Sequence, residues 1–376
     1  MTGNTDAARK GNGPLRKSAE DFKELGLNPE KIEMFEDGMR AKDPYALGTW
    51  EWWYMDCALD DGNHITIVFK MANIFMPSGL VPQIEVNFSM KDGSSSFTNL
   101  PFQSGQLRQS RDKCDVRIAN NFFRGDLNKY EIHVEARTDN DKKIIVDLEL
   151  ESTCESWRPQ TGQFIGNTAQ TIDGEVPHFN WICPMPGAKV KARYQIGDQK
   201  YQSSGSGYHD HNWGNTPMQS VCEQWFWGHG NIGPYTLVAY PIQHRKELGG
   251  EWTNVFMLAK NGKIVADNLS KVTFEKIGEQ TVPGSDLKLP QELKFTYEDG
   301  DTRYVSEWKS YKASLLVNSL YDTPLGDKEK WRRNEANYTR FVSTMTLEKF
   351  SRGKSVEKHE AKDAMWEYMG FGHWAD

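Results

Sequence analysis

Gly205-Ser-Gly-Tyr-His-Asp-His-Asn-Trp-Gly214 is the stretch whose reading decides the fold. Glycines bracket two histidines, an aspartate, a tyrosine and a tryptophan, more amphipathic rings than surfaces normally gather. In an extended backbone, successive side chains point to opposite faces. His209, His211 and Trp213 then share one face, and Tyr208, Asp210 and Asn212 share the other. A second segment, Trp225-Phe-Trp-Gly-His229, repeats the pattern with Trp225, Trp227 and His229 on one face. Rings gathered around a few convergent polar groups describe a buried, largely apolar small-molecule site.

Outward from this stretch the texture is that of short strands. Trp50–Ala58, Ile65–Met71, Ile84–Met90, Val116–Phe123, Tyr130–Ala136 and Ile144–Leu150 are apolar or alternating runs. Turn signals such as Asp61-Gly62 and Asp92-Gly93 stand between them, as hairpins require. Residues 151–187 hold scattered Pro and Gly and read as a long loop presenting Trp157, His178 and Trp181. Strands resume at Val190–Ile196. They continue through Tyr235–Tyr240, Trp252–Leu258, Leu293–Tyr297 and Phe341–Glu348 to a closing strand at Met365–Gly372. Ser18–Leu25 predicts a short helix. Asn28-Pro-Glu30 predicts the cap of a second, running to Met39. Tyr321–Asn334 reads as a charged insertion. The expected organisation is a polar and helical arm over 1–45, a first barrel over 46–204 and a second over 205–376, with a pocket near their interface. Pairing of the histidine segment with the Trp225–His229 segment would make one continuous aromatic wall.

Composition narrows the partners. The chain has 376 residues, a net charge of -7 and 13 tryptophans. An acidic balance argues against nucleic acid and anionic membrane surfaces. No apolar run approaches the roughly 20 residues of a membrane-spanning helix. Five dispersed cysteines without Cys-x-x-Cys read as reduced core thiols, and the first 45 residues hold no signal-peptide core. Both point to a cytoplasmic protein. No GxGxxG opening a helix, Walker A, GxSxG or His-Glu-x-x-His pattern is present. No nucleotide or other cofactor is expected. His209 and His211 lack a third ligand at a fixed spacing, so no metal is expected either.

Tyr208-His-Asp-His-Asn-Trp-Gly214, Glu51-Trp-Trp-Tyr54 and Asp56 resemble signatures of the carotenoid 1,2-hydratase and AttH-like family. That family includes kievitone hydratase-like enzymes and, more distantly, fungal Diels-Alderases. The resemblance covers roughly residues 46–376, and the end of the chain around Glu367 resembles the family's C-terminal strand. It implies an all-β fold of two tandem lipocalin-like barrels. It also implies chemistry on a hydrophobic, isoprenoid- or polyene-like substrate. The motifs specify the fold more narrowly than the reaction, because one fold hosts several chemistries.

Within that frame the expected activity is hydration or dehydration of a carbon–carbon double bond by acid–base catalysis. Asp210, His209 or His211 would move the proton. Trp53, Tyr54, Tyr208, Trp213, Trp225, Trp227, His229, Glu51 and Glu367 would contact substrate, with aromatic faces stabilising a developing cation. Asp210 could orient a histidine or act as a general acid, and the residues alone leave both open. Buried histidines can equally hold backbone carbonyls, and rings can equally pack a core. A cyclase or isomerase, including a Diels-Alderase-like pericyclase, is the second expectation. A non-catalytic lipid- or terpenoid-binding protein is the third.

Overall fold

The structure is a computed structural model that describes residues 14–72, 80–137, 141–172, 174–282, 287–316 and 337–371. The insertion expected at Tyr321–Asn334 lies outside the described residues. Strand dominates, and the chain divides into two units, Leu15–Val221 and a second starting at Cys222. Each contains a curled antiparallel half-barrel sheet of lipocalin type.

The two sheets share one wiring. In the first unit, Trp50–Leu59 opens a meander continuing through His64–Lys70, Gln83–Ser89 and Ser95–Pro101. The last strand, Gln199–Gly214, returns to pair with Trp50–Leu59. It also pairs with His178–Ile196, which continues into Lys143–Ser152 and Lys129–Arg137. In the second unit, Cys222–Ile232 opens the meander through Tyr235–His244 and Trp252–Lys260, and Lys354–Gly370 returns to pair with it. First-to-last pairing curls each meander so that one face of the sheet encloses a core. Trp53, Met55, Phe69, Phe88, Phe123 and Tyr130 help fill the first core. Phe226, Trp308, Phe341 and Trp366 help fill the second.

The histidine strand therefore completes the first sheet, and the boundary expected at 204/205 falls inside it. The units part at Val221/Cys222. The histidine strand and Cys222–Ile232 find their partners in different sheets, so the expected pairing between them does not form. The expected loop over 151–187 is also shorter than read. His178–Ile196 is one strand, with register shifts between Ile182 and Ala188 around Pro184 and Pro186. Proline cannot donate to a ladder but is accommodated at bulges, so the strand persists through a Pro-rich sequence.

From Leu15 onward, the N-terminal arm packs within the first unit. Ser18 caps Ala19–Leu25 with a reciprocal capping box to Asp21. The second expected helix is a single 3₁₀ turn, Met34–Asp37. Asn28 closes a local turn onto the Glu30 amide at 2.9 Å. What holds the segment in place is the burial of Glu36 and Asp37, described below. All five cysteines are buried and unbridged. Among the described residues, no helix is long and apolar enough to cross a membrane.

Candidate functional site

The two faces of the histidine strand do different things. Antiparallel register sets Trp53 opposite His211, Met55 opposite His209 and Tyr54 opposite Asp210. Odd-numbered side chains of both strands enter the barrel, and even-numbered ones leave it.

Inside, the histidines receive the arm. His209 Nδ1 lies 2.8 Å from the Tyr54 carbonyl, and Nε2 lies 3.1 and 3.2 Å from the Asp37 carboxylate oxygens. The Tyr130 hydroxyl donates to Asp37 Oδ2 at 2.5 Å, and Trp53 Nε1 donates to the Asp37 carbonyl at 3.0 Å. His211 Nδ1 faces the Glu36 carbonyl at 3.1 Å, and Nε2 faces Glu51 Oε1 at 2.8 Å. Trp53 stacks on the His211 ring at 4.6 Å, and Trp213 lies against it at 4.8 Å. Glu51 also accepts from the backbone amides of Arg40 at 2.6 Å and Ala41 at 2.9 Å. Glu36 pairs with Arg158 at 3.0 Å. Burial pushes the Glu36 carboxyl up to about 7, against the Arg158 guanidinium. Burial works against an imidazolium at His209, but the Asp37 carboxylate outweighs it and holds that group above its ordinary value.

His209, His211 and Glu51 all have 0% exposure. Every polar atom of these rings, and both oxygens of Glu51, already has a partner in the arm or the sheet. The structure thus places three expected catalytic or substrate-contacting residues in the framework that seats the arm. Trp53 joins them as packing. Trp213 lines a separate cavity of about 390 Å³ with Glu36, Arg40, His178 and Asn180.

On the opposite face a second set gathers around Asp210. Its carboxylate accepts from Asn212 Nδ2 at 2.8 Å, the Tyr208 hydroxyl at 3.0 Å and Trp181 Nε1 at 3.2 Å. Beside it the Tyr54 hydroxyl donates to Asp56 at 2.8 Å, and the Tyr54 and Tyr208 rings meet edge-to-face at 6.3 Å. Burial, reinforced by the Asp210 charge, holds the Tyr208 phenol well above its ordinary value, so it remains a neutral donor. Of the expected site residues, Tyr54, Tyr208 and Asp210 come together here. Trp181 and Asn212 complete the group. The period-2 reading of 205–214 already put Asn212 on this face. Trp181 was expected on a loop with Trp157 and His178, and the structure places it on the strand His178–Ile196.

The second unit holds a comparable set on the face of its sheet opposite the core. Glu367 accepts from Trp225 Nε1 at 3.3 Å and from the Tyr338 hydroxyl, and lies 3.3 Å from Arg340. Arg340 also donates to Tyr338 at 2.6 Å. Burial raises the Tyr338 phenol well above its usual value, against the Arg340 charge. Trp225 packs edge-on against Tyr240 and Phe371, and Trp227 lies 5.2 Å from His229. Trp225 and Glu367 were both expected at the site, and the structure joins them. Tyr338 and Arg340 were missed, because two polar residues at i, i+2 in a strand carry no signal until the partner strand is known.

Comparison with known proteins agrees with this architecture. The structure resembles crystal structures of CghA with Sch210972 (TM-score 0.57, 12% identity, 92% of this chain and 98% of that one) and of kievitone hydratase from Nectria haematococca (TM-score 0.55, 12% identity, 96% and 98%). In sequence, the quinolone epoxide rearrangement protein asqO of Emericella nidulans is 35% identical over 79 residues, 20% of this chain and 22% of that protein. The Diels-Alderase mycB of Thermothelomyces thermophilus is 27% identical over 113 residues, 30% of this chain and 25% of that protein. The matched stretches thus span about a quarter of the length of these curated relatives. A family model for Diels-Alderase-like proteins matches residues 40–277, more than half of the chain and all of the Asp210 cluster. The chain belongs to the Diels-Alderase-like family.

Proposed function

We propose that this protein is an enzyme that carries a hydrophobic small molecule with a polar head group through a cyclisation or rearrangement, leaving its composition unchanged. The observation that carries this reading is Asp210, a buried carboxylate already accepting hydrogen bonds from Tyr208, Trp181 and Asn212. A carboxylate so surrounded by donors is suited to fix and polarise neighbouring groups. It is poorly suited to hand over a proton, so the acid role expected for a hydratase fits less well. The Tyr208 phenol gives its single proton to Asp210, and it would meet a substrate carbonyl or epoxide oxygen by turning that hydrogen bond to it. Preorganised dipoles of this kind stabilise charge that develops during bond reorganisation. The Trp and Tyr rings around Asp210 offer faces for an extended conjugated chain. Relatives named for epoxide rearrangement and for Diels–Alder chemistry support a reaction that conserves atoms.

The test is product mass. The purified protein is incubated with a quinolone epoxide and, separately, with a linear polyene bearing an activated alkene. Products are resolved by chromatography and mass spectrometry. The expected product is an isomer of its substrate. Asp210→Asn lowers its formation by roughly 10²-fold, while quenching of tryptophan fluorescence by the substrate persists. A product heavier by one water would replace this reading with hydration. Undiminished binding with no conversion by either protein would make the fold a carrier.

A further inference from the structure

We propose that Asp37, Cys114 and His209 hold a divalent cation of the zinc class in the core of the first unit as a three-ligand site, its fourth position left for a water. The proposal is independent of the reaction above. The spacing of His209 and His211 supplied no third ligand. The fold supplies two from distant parts of the chain. The arm's 3₁₀ turn inserts Asp37, and Cys114 stands just before the strand Asp115–Ile118. One ligand atom from each residue lies within 4.8 Å of the others, and all three residues are buried. A tetrahedral zinc with nitrogen and oxygen ligands at about 2.0–2.1 Å and sulfur at about 2.3 Å sets donor pairs roughly 3.3–3.8 Å apart. The 3.1 and 3.2 Å separations between His209 Nε2 and Asp37 are already near that value. Sulfur has to close by about an ångström or less.

The outer contacts point the same way. A backbone carbonyl only accepts, so the contact with Tyr54 O makes His209 Nδ1 the protonated nitrogen and aims Nε2 at Asp37. Two acceptors then face each other unless something positive lies between them. A proton can serve. So can a metal, and imidazole ligands characteristically donate their other nitrogen to a carbonyl or carboxylate in this way. Asp37 has an outer partner too, the Tyr130 hydroxyl at 2.5 Å. The thiol of Cys114 tips the choice. Thiolate with imidazole and carboxylate is a soft-to-borderline donor set suited to zinc. His211 makes a similar contact with Glu51, but no thiol belongs to that group.

Charge balance permits the exchange. Without metal, an imidazolium and a carboxylate sum to zero. With a divalent ion, a thiolate, a carboxylate and a neutral imidazole also sum to zero, and binding releases one proton from Cys114 and one from His209. An uncharged group is what a dry core tolerates. The site would tie the arm, the Asp115–Ile118 hairpin and the histidine strand together as the chain folds.

The experiment is metal analysis of the full-length protein produced in zinc-supplemented medium and dialysed. Stoichiometric zinc is expected, and Cys114→Ala, shown folded by circular dichroism, should lose it. Refolding the wild type with cobalt should give a thiolate-to-cobalt charge-transfer band in the near ultraviolet that the variant lacks. A folded wild type that carries no zinc and shows no cobalt band overturns the proposal. Zinc retained in full by Cys114→Ala overturns it too, because the ion would then sit elsewhere.

Discussion

Replacing Glu51 by glutamine tests whether the inner face of the histidine strand is framework. Glu51 accepts from the Arg40 amide at 2.6 Å, the Ala41 amide at 2.9 Å and lies 2.8 Å from His211 Nε2. Glutamine keeps the shape but offers one acceptor and one donor group. In either flip, an amide NH₂ faces at least one N–H that was formerly bonded. Hydrogen bonds to a charged group contribute about 1.5–3 kcal/mol each, and a buried orphaned amide costs about 1–3 kcal/mol. One bond weakened and one amide orphaned together give about 3–5 kcal/mol. The first unit, Leu15–Val221, has a size at which 1 kcal/mol moves Tm by about 2–4 °C. Its unfolding transition should therefore fall by about 6–20 °C. Thermal melts by circular dichroism measure this, and limited proteolysis should show faster cleavage between residues 26 and 48. A Tm within about 2 °C of wild type, with an equally resistant arm, would refute the framework assignment. Glu51 would then be available for the substrate contact that its sequence context suggests.

Three further outcomes are expected. Gly228→Ala should destabilise the second unit by about 1–3 kcal/mol, because a Cβ would meet Met365 O and the Trp308 ring at 2.5 Å. Gly105→Ala, with nothing within 4 Å, should be near neutral, and equal urea midpoints for the two would contradict the packing. Hydrogen bonds from Lys260, then from Tyr235, lower the Glu357 carboxyl to about 2. A depressed carboxyl stabilises the fold above its unfolded value of about 4.3 and loses that contribution as pH falls toward 2. Glu357→Gln should therefore cost about 1 kcal/mol at pH 7, discounted for partial exposure, and the gap should close in acid. A gap that stays constant down to pH 2 would count against the pairing. Trp181→Phe removes the indole donor to Asp210 but keeps a ring. It should slow product formation roughly tenfold, about the worth of one bond to a charged group. Unchanged turnover would separate Trp181 from the chemistry.

Period-2 alternation made the strands legible, and it sorted His209, His211 and Trp213 from Tyr208, Asp210 and Asn212 correctly. It could not say which face was the interior, because both faces carry rings and polar groups and both are largely buried. The usual cue, apolar inside and polar outside, fails where the interior receives a charged plug. Glu36 and Asp37 sit in an ordinary acidic stretch of sequence, and only the tertiary fold pairs them with Arg158 and His209. The helix expected to run to Met39 failed for the same reason. Local capping chemistry favoured it, but burying two carboxylates against distant partners selected a single turn. Bulges defeated the reading of Cys183-Pro-Met-Pro-Gly187, since proline argues against a strand unless a register shift absorbs it.

The expected site residues of the first unit sort by face. Those engaged with the arm lie on the inner face, Glu51, Trp53, His209 and His211, and Trp213 lies beside the separate cavity. Every residue that stayed at the candidate chemistry of the first unit lies on the outer face: Tyr54, Tyr208 and Asp210. The motif that identifies the fold is therefore two interleaved motifs of different kind. Its odd positions seat the arm in the barrel, a task set by architecture and indifferent to substrate. Its even positions, Tyr208, Asp210 and Asn212, form the hydrogen-bonded group proposed to meet a ligand. A resemblance carried by the whole run reads the fold well and the reaction less well, because the histidines that make it recognisable are already committed to the arm and the sheet. Exchanging Tyr208 or Asn212 should lower product formation by more than the loss of folded protein explains, with a fall in Tm of about 3–12 °C from one lost bond to a buried charge of about 1.5–3 kcal/mol. Changes at His209 or His211 should do the reverse, lowering Tm first and activity only in proportion to the protein left folded.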